Sequence, residues 1–157
     1  MRTILLSAAL AVPALAQQQS DFYLREEIPL PPGEVMEISS LALMPDEKVA
    51  VATRRGDVWI CSGAYADDLS EVTWQKFAHG LHEPLGMYYK DGSLFLTQRP
   101  DFSRIQDTDG DSEADVFETI SSGWGISGDY HEYAFGSRPD PNGDVWITLC
   151  LTGSFTA

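Results

Sequence analysis

The sequence predicts an all-β fold, because short apolar runs rich in β-branched and aromatic residues alternate with turn signals. Three of these runs repeat one pattern, a tight turn followed by a strand, at residues 45–56, 90–101 and 141–150. Two of the turns contain Asp91-Gly92 and Asn142-Gly143, which favour hairpins because Gly tolerates a positive φ. The strands begin 45 and 51 residues apart, at Val49, Leu94 and Val145. Four short strands over such a period are typical of a β-propeller blade.

The repeats predict two complete blades, residues 35–77 and 85–120, and a third that breaks off at Ala157. An extended, polar and proline-rich lead-in is expected over residues 17–34, before a partial β-propeller domain of about two and a half blades over residues 35–157. The alternative is a small sandwich made of the same strands. Because open blade edges expose apolar surface and unpaired backbone, we expect the chain alone to aggregate or dissolve poorly.

Residues 1–16 have the pattern of a secretory signal peptide: Arg2, an apolar run too short to span a membrane, and the small-x-small site Ala14-Leu15-Ala16. We therefore expect an exported protein, periplasmic or extracellular, without a membrane span. A buried N-terminal helix is the alternative. The formal charge of −14 repels nucleic acid and anionic lipid, so neither is an expected partner.

The most acidic stretch of the chain predicts a calcium site. No Lys or Arg lies between Ile105 and Ser137, and carboxylates recur with a D-x-D-x-D-x-x-x-D spacing that directs oxygens toward one centre. Ser112 stands where an EF-hand has Gly, and no flanking helices are predicted, so the loop is not a true EF-hand. A solvated acidic turn without metal is the alternative. The predicted calcium ligands are Asp107, Asp109, Asp111, Glu113, Asp115 and Glu118.

Two histidines precede predicted innermost strands, one blade period apart. His82 lies in GLHEPLG and His131 in GDYHEYAFG, so both are expected at the mouth of the central channel. Near neutral pH a His there can act as a general base, and His131 is the candidate. The alternative is a loop His that orders its turn by hydrogen bonding to backbone. We expect Trp124 and Asp129 at the same channel mouth, on the same rim as the acidic loop.

Other conspicuous residues favour structural roles. Arg54 and Arg99 align in the repeat, as an anion clamp or, more in keeping with strand ends, as salt-bridge partners. Cys61 and Cys150 end apolar strands in different repeats, which favours buried free thiols over a disulfide. The remaining tryptophans, Trp59, Trp74 and Trp146, are expected to pack within blades.

The motifs VATRRGDVWI, GLHEPLGMYYKDGSLFLTQR, DTDGDSEADVFETISSGWGISGDYHEYAFG and DPNGDVWITL resemble the N-terminal blades of glucose/sorbosone dehydrogenase-like propellers. The resemblance extends over nearly all of the mature chain and is greatest for the secreted planctomycete and verrucomicrobial subgroup, often fused to c-type cytochrome domains. It implies a six-bladed propeller that uses pyrroloquinoline quinone (PQQ) to oxidise a sugar or alcohol. His131 would take the hydroxyl proton while hydride passes to the quinone. The residues that hold PQQ and its calcium come largely from later blades.

The expected function is thus that of an N-terminal fragment of a quinone-dependent sugar or alcohol dehydrogenase-like propeller, inactive alone. The competing interpretation is a non-catalytic, calcium-stabilised propeller that binds carbohydrate or a protein partner.

Overall fold

The computed structural model describes residues 22–126 and 132–150, and in these ranges the secondary structure is almost entirely antiparallel β. The first sheet contains β1 (Ile38–Leu43), β2 (Val49–Thr53), β3 (Val58–Ser62) and β4 (Thr73–Ala78). The second contains β5 (Gly86–Lys90), β6 (Ser93–Thr97), β7 (Phe102–Gln106) and β8 (Val116–Ser121), and the third pairs β9 (Tyr133–Pro139) with β10 (Val145–Cys150). One turn of 3-10 helix, Leu69–Glu71, precedes β4. Within these ranges no helix is long and apolar enough to cross a membrane.

Each complete sheet is a meander in which strands adjacent in sequence are adjacent in space. The two-residue turn between β1 and β2 has positive φ at Asp46 (57°) and Glu47 (56°). Its equivalent between β5 and β6 has positive φ at Asp91 (48°) and Gly92 (80°). Paired positive φ angles match the right-handed twist of the flanking strands, which is why the repeated turns specify the hairpins.

The core lies between the first and second sheets. Because side chains of a strand alternate between faces, one face of each sheet supplies the contact. The buried cluster contains Ala42, Ala50, Ala52, Val58, Ile60 and Ala78 from the first sheet, and Met87, Leu94, Leu96 and Ile105 from the second. The four alanines of the first sheet leave room for the long aliphatic residues of the second, which allows the two sheets to pack closely.

The first strands of the three sheets are neighbours: β5 lies between β1 and β9. The Oγ of Ser39 donates to the carbonyl oxygen of Pro84 at 2.5 Å, connecting the first two sheets. Between the second and third sheets, the hydroxyls of Thr97 and Ser137 hydrogen bond at 2.6 Å. Gly86 lies so close to the backbone of Gly136 that a Cβ would stand 1.7 Å from its carbonyl oxygen.

The all-β prediction is confirmed, and both predicted complete blades correspond to four-stranded antiparallel sheets. Cys61 is a buried free thiol as expected, but Cys150 is exposed at the edge strand β10, so the expectation of burial is wrong for that residue. Trp59 is buried beneath the Lys76 ammonium, which stands 4.7 Å from its ring centroid. Trp146 is 70% exposed, which the packing prediction did not anticipate. The predicted signal peptide lies outside the described residues.

Candidate functional site

The acidic loop and the predicted channel-mouth loops lie at opposite ends of the second sheet. The pair Gln106–Val116 borders the acidic loop at one end of β7 and β8, and the pair Phe102–Ser121 lies at the other. The expectation of a shared rim is therefore wrong for the acidic loop. The physical reason is that successive connections in an antiparallel meander alternate between the two ends of the sheet. We call these the acidic end (residues 107–115) and the arginine end (residues 54, 82–85 and 98–101).

At the acidic end, three of the predicted ligands converge. One carboxylate oxygen each from Asp107, Asp109 and Asp115 can be chosen so that all lie within 4.8 Å of one another. Calcium binds oxygens at 2.3–2.6 Å, so two ligands on opposite sides of one ion stand roughly 4.6–5.2 Å apart. Three carboxylate oxygens within this distance of one another can reach one cation.

The loop is also held by hydrogen bonds to its own carboxylates. Asp107 accepts from the backbone N–H groups of Gly110 (2.7 Å) and Ser112 (3.0 Å). These bonds, the one from Gly110 foremost, hold the pKa of Asp107 below its usual value of 3.8. Asp115 accepts from the backbone N–H of Thr108 at 3.0 Å and from its hydroxyl at 2.5 Å. Asp107 and Asp115 therefore both direct their side chains to backbone groups of the loop.

The other three predicted ligands are outside this cluster. Asp111 accepts from the backbone N–H of Glu113 at 2.8 Å, which closes a separate turn. Glu118 lies in β8, where it forms an ion pair of 2.8 Å with Arg104. The structure thus brings together Asp107, Asp109 and Asp115 and gives Glu118 a different partner.

At the arginine end, the two aligned arginines join successive sheets. Arg54 follows β2. Its Nε (2.9 Å) and Nη2 (2.5 Å) donate to the carboxylate of Glu37, just before β1. Its Nη1 reaches Glu83, before β5, at 3.1 Å. Arg99 follows β6 and binds the other oxygen of Glu83 at 3.2 Å. Arg54 thus ties the first sheet to the loop that leads into β5, and Arg99 binds the same loop, which confirms the salt-bridge interpretation.

Arg99 is the more enclosed of the two arginines, with a side chain 16% exposed. Its guanidinium carbon stands 5.1 Å from the ring centroid of Tyr133 at the start of β9, a cation–π distance. Because Arg54 and Arg99 already bind carboxylates, neither offers an open cationic position. A tricarboxylate such as PQQ needs such positions, and the described residues at this end do not fit it.

His82 shapes its loop mainly through its backbone. Its N–H donates to the side-chain oxygen of Gln98 at 2.7 Å, and its carbonyl oxygen accepts from the N–H of Arg99 at 3.0 Å. The imidazole is about half exposed, with its Nε2 at 3.9 Å from Glu83. The hydrogen bonds that hold this turn are thus made by the backbone of His82 and not by its imidazole. His131 and Asp129 lie outside the described residues.

Trp124 borders a groove between the second and third sheets. The indole Nε1 donates to the carbonyl oxygen of Arg99 at 2.9 Å, which anchors the ring at the arginine end. The groove measures about 470 Å³, and its aromatic and aliphatic walls include Phe102, Ile120 and Trp146, with Asp144 among the polar residues. Trp124 therefore lines a cleft between these two sheets.

The family described as Domain of unknown function (DUF7133) matches residues 42–155. The chain belongs to this family. No curated protein and no solved structure matched it. The DUF7133 region includes the acidic loop, both aligned arginines, His82 and the Trp124 groove.

Sequence reasoning missed Glu37 and Glu83 as the partners of the arginines. The available signal was the repeated His-Glu dipeptide, because the acid of its first copy, Glu83, binds both arginines. Glu37 is not part of a His-Glu dipeptide, and it meets Arg54 only in the folded sheet.

Proposed function

We propose that this DUF7133 chain is the first part of an exported, calcium-stabilised β-propeller of the quinone-dependent sugar or alcohol dehydrogenase kind. The observation that supports the propeller is the order of the sheets. Two four-stranded meanders follow one another, and their innermost strands lie side by side with that of a third sheet. In a propeller the innermost strands of successive blades surround one axis, and ligands bind at its mouth.

In this proposal calcium has a structural role at the acidic end. Supporting observations are the spacing of the Asp107, Asp109 and Asp115 oxygens and the backbone contact between the loop and the neighbouring sheet. That contact is the N–H of Ala114 donating to the carbonyl oxygen of Phe77 at 2.7 Å. An ion that holds the loop closed would therefore also strengthen the contact between the outer strands of the first two sheets.

Calcium titration against thermal unfolding tests this role. At a free calcium concentration one hundred times the Kd, a single site stabilises the folded state by about 2.7 kcal/mol. We expect the melting temperature to rise with calcium in the wild type and in Asp67→Asn, an exposed carboxylate outside the loop, and to stay constant in Asp109→Asn. A wild type indifferent to millimolar calcium, or a response equal in both variants, would contradict the calcium site.

The dehydrogenase part of the proposal rests on the family resemblance and on His131. Because the resemblance puts the quinone ligands in later blades, we expect the 157-residue chain to be inactive with PQQ and calcium. A longer form that continues past Ala157 should show dye-linked oxidation of aldoses or alcohols after PQQ reconstitution. His131→Ala should abolish this oxidation and His79→Ala, a histidine at the end of the first sheet, should not. Activity that survives in His131→Ala would remove the proposed base.

A non-catalytic propeller that binds carbohydrate or a protein is the second candidate. It is favoured by one observation: the charged groups described at the arginine end are engaged with one another. The same reconstituted protein separates the two candidates. Glycan binding by calorimetry without any quinone-dependent oxidation supports the binding module, whereas turnover supports the enzyme. Both candidate functions are those of an exported protein. We therefore expect N-terminal sequencing of the mature protein to begin at Gln17.

A further inference from the structure

We propose that the groove between the outer strands of the first and second sheets binds a basic segment of a partner protein by taking up one arginine side chain. The groove measures about 380 Å³, and both of its walls belong to the two complete sheets and their connections. The inference goes beyond the proposed function, because it depends on neither calcium nor quinone and would apply to the enzyme and to the binding module alike.

The groove continues the contact between these two sheets beyond their common core. Phe117 pairs with Ile105 in the register of β7 and β8, and side chains that are directly opposite lie on the same face of a sheet. Ile105 is buried in the core cluster that the two sheets share, whereas Phe117 is 54% exposed. The sheets therefore diverge toward their outer strands, and the ring of Phe117 is accessible to a ligand.

The bottom of the groove is apolar and held by a backbone contact. Phe77 and Ala114 pack against the core cluster, and Ala78 is buried. The N–H of Ala114 donates to the carbonyl oxygen of Phe77 at 2.7 Å, which joins the wall from the first sheet to the wall from the second. A ligand therefore meets a preformed surface, which lowers the entropic cost of binding.

The charges that line the groove favour a cationic ligand. Glu113 is exposed in the groove wall, and among the described residues its carboxylate forms no ion pair. The ammonium group of Lys76, which also lines the groove, is already bound by Asp57 at 3.3 Å. Residues 106–136 contain no Lys or Arg, so the second sheet contributes only negative charge to this wall. An anionic ligand would therefore be repelled and a cationic one attracted.

An arginine side chain matches the combination of an aromatic ring and a carboxylate. A guanidinium group can stack on an aromatic face while its N–H groups donate to a carboxylate, and Phe117 and Glu113 line the same groove. Lysine offers a point charge without this planar fork. His79, an exposed residue of the opposite wall, can exchange a hydrogen bond with the backbone of the partner. The formal charge of −14 attracts a basic partner from a distance.

Two matched peptides test the proposal by ligand-observed saturation-transfer NMR with the full chain. One carries a single arginine between uncharged residues and is acetylated and amidated at its ends, and the other has citrulline, a neutral group of similar shape, in place of arginine. Glu113→Gln and Phe117→Ala alter the groove, and because both side chains are exposed the sheets need not repack. Glu71→Gln, an exposed glutamate that does not line the groove, is the control for net charge.

We expect saturation transfer to the arginine peptide and none to the citrulline peptide, with an affinity that falls as salt screens the charges. Glu113→Gln should raise the Kd about tenfold and Phe117→Ala about two- to fivefold, while Glu71→Gln should leave it unchanged. Equal binding of the two peptides, or a Kd unaffected by both groove variants, would overturn the proposal. Saturation transfer to glucose that is lost in Phe117→Ala, with no binding of the arginine peptide, would show a saccharide groove instead. The calcium titration and the quinone-dependent oxidation are measured separately, so this proposal can fail without them.

Discussion

The close backbone contact between Gly86 and Gly136 predicts that adding a side chain at Gly86 destabilises the third sheet. Gly86→Ala introduces a Cβ that would stand 1.7 Å from the carbonyl oxygen of Gly136 and 2.2 Å from its carbonyl carbon. Real Cβ contacts essentially never fall below 3.0 Å, and the obstructing atoms are backbone, so no rotamer change relieves the clash. The strands β5 and β9 must therefore move apart.

Moving these strands apart also breaks polar contacts between the second and third sheets. The N–H of Gly136 donates to the carbonyl oxygen of Leu85 at 3.3 Å. Because this hydrogen bond is already long, a small further separation breaks it. The Thr97–Ser137 hydroxyl bond lies one residue further along. Overpacking costs about 1–3 kcal/mol, and each hydrogen bond lost adds roughly 1 kcal/mol. We therefore expect Gly86→Ala to lower the free energy of unfolding of the third sheet by about 3 kcal/mol.

Native-state hydrogen exchange of the β9 amides measures this local free energy. Gly125→Ala is the matched control, because no atom lies within 4 Å of its added Cβ and its φ is not in the left-handed region. Exchange in β9 should accelerate by about two orders of magnitude in Gly86→Ala and remain unchanged in Gly125→Ala. Equal exchange rates in the two variants would show that β9 does not pack against β5 as described.

Three further predictions concern the ion pairs, the thiols and the acidic loop. Arg99→Ala should destabilise the protein to urea by about 1–3 kcal/mol, and Arg54→Ala by clearly less, since only Arg99 is largely enclosed; equal losses would contradict this. Burial raises the pKa of the Cys61 thiol, so native protein should present one fast-reacting thiol, Cys150, to a disulfide reagent and two after unfolding; two fast thiols in the native state would refute it. The lowered pKa of Asp107 means that its stabilising contribution is present above pH 3.8 and is lost as pH falls through the lowered value. NMR titration of the Gly110 and Ser112 amides should show a midpoint below 3.8, and a midpoint at or above it would mean that these hydrogen bonds are absent in solution.

Much of the fold was predictable because its signals are local. The Asp91-Gly92 turn and the alternating residues after it specify a hairpin within a few residues, and the structure has that hairpin as β5 and β6. Repetition of the same signals at Val49 and Val145 predicted the order of the strands. The strands β4 and β8 also carry a local signal, because both are short runs that contain β-branched and aromatic residues.

The candidate sites were predictable only in part. The spacing of Asp107, Asp109 and Asp115 predicted their convergence, because a tight loop brings residues two to eight apart into one place. The assignment of Glu118 depended on treating the loop as twelve consecutive residues, whereas β8 begins at Val116 and turns Glu118 toward Arg104. The two acids that bind Arg54 lie 17 and 29 positions away from it in the sequence. No local pattern encodes contacts over such distances.

By itself the sequence determined that the chain forms meandering antiparallel sheets and that one connection concentrates carboxylates, because hairpin turns, strand alternation and charge clustering act over short distances. Only the tertiary structure decided that the acidic loop lies at the opposite end of the sheets from the arginines. It also decided that Glu37 and Glu83 neutralise those arginines, and that Leu41 and Trp146 remain uncovered while Met87 is buried. These outcomes depend on how whole sheets stack, and stacking is set by the summed burial of faces whose residues are distant in sequence.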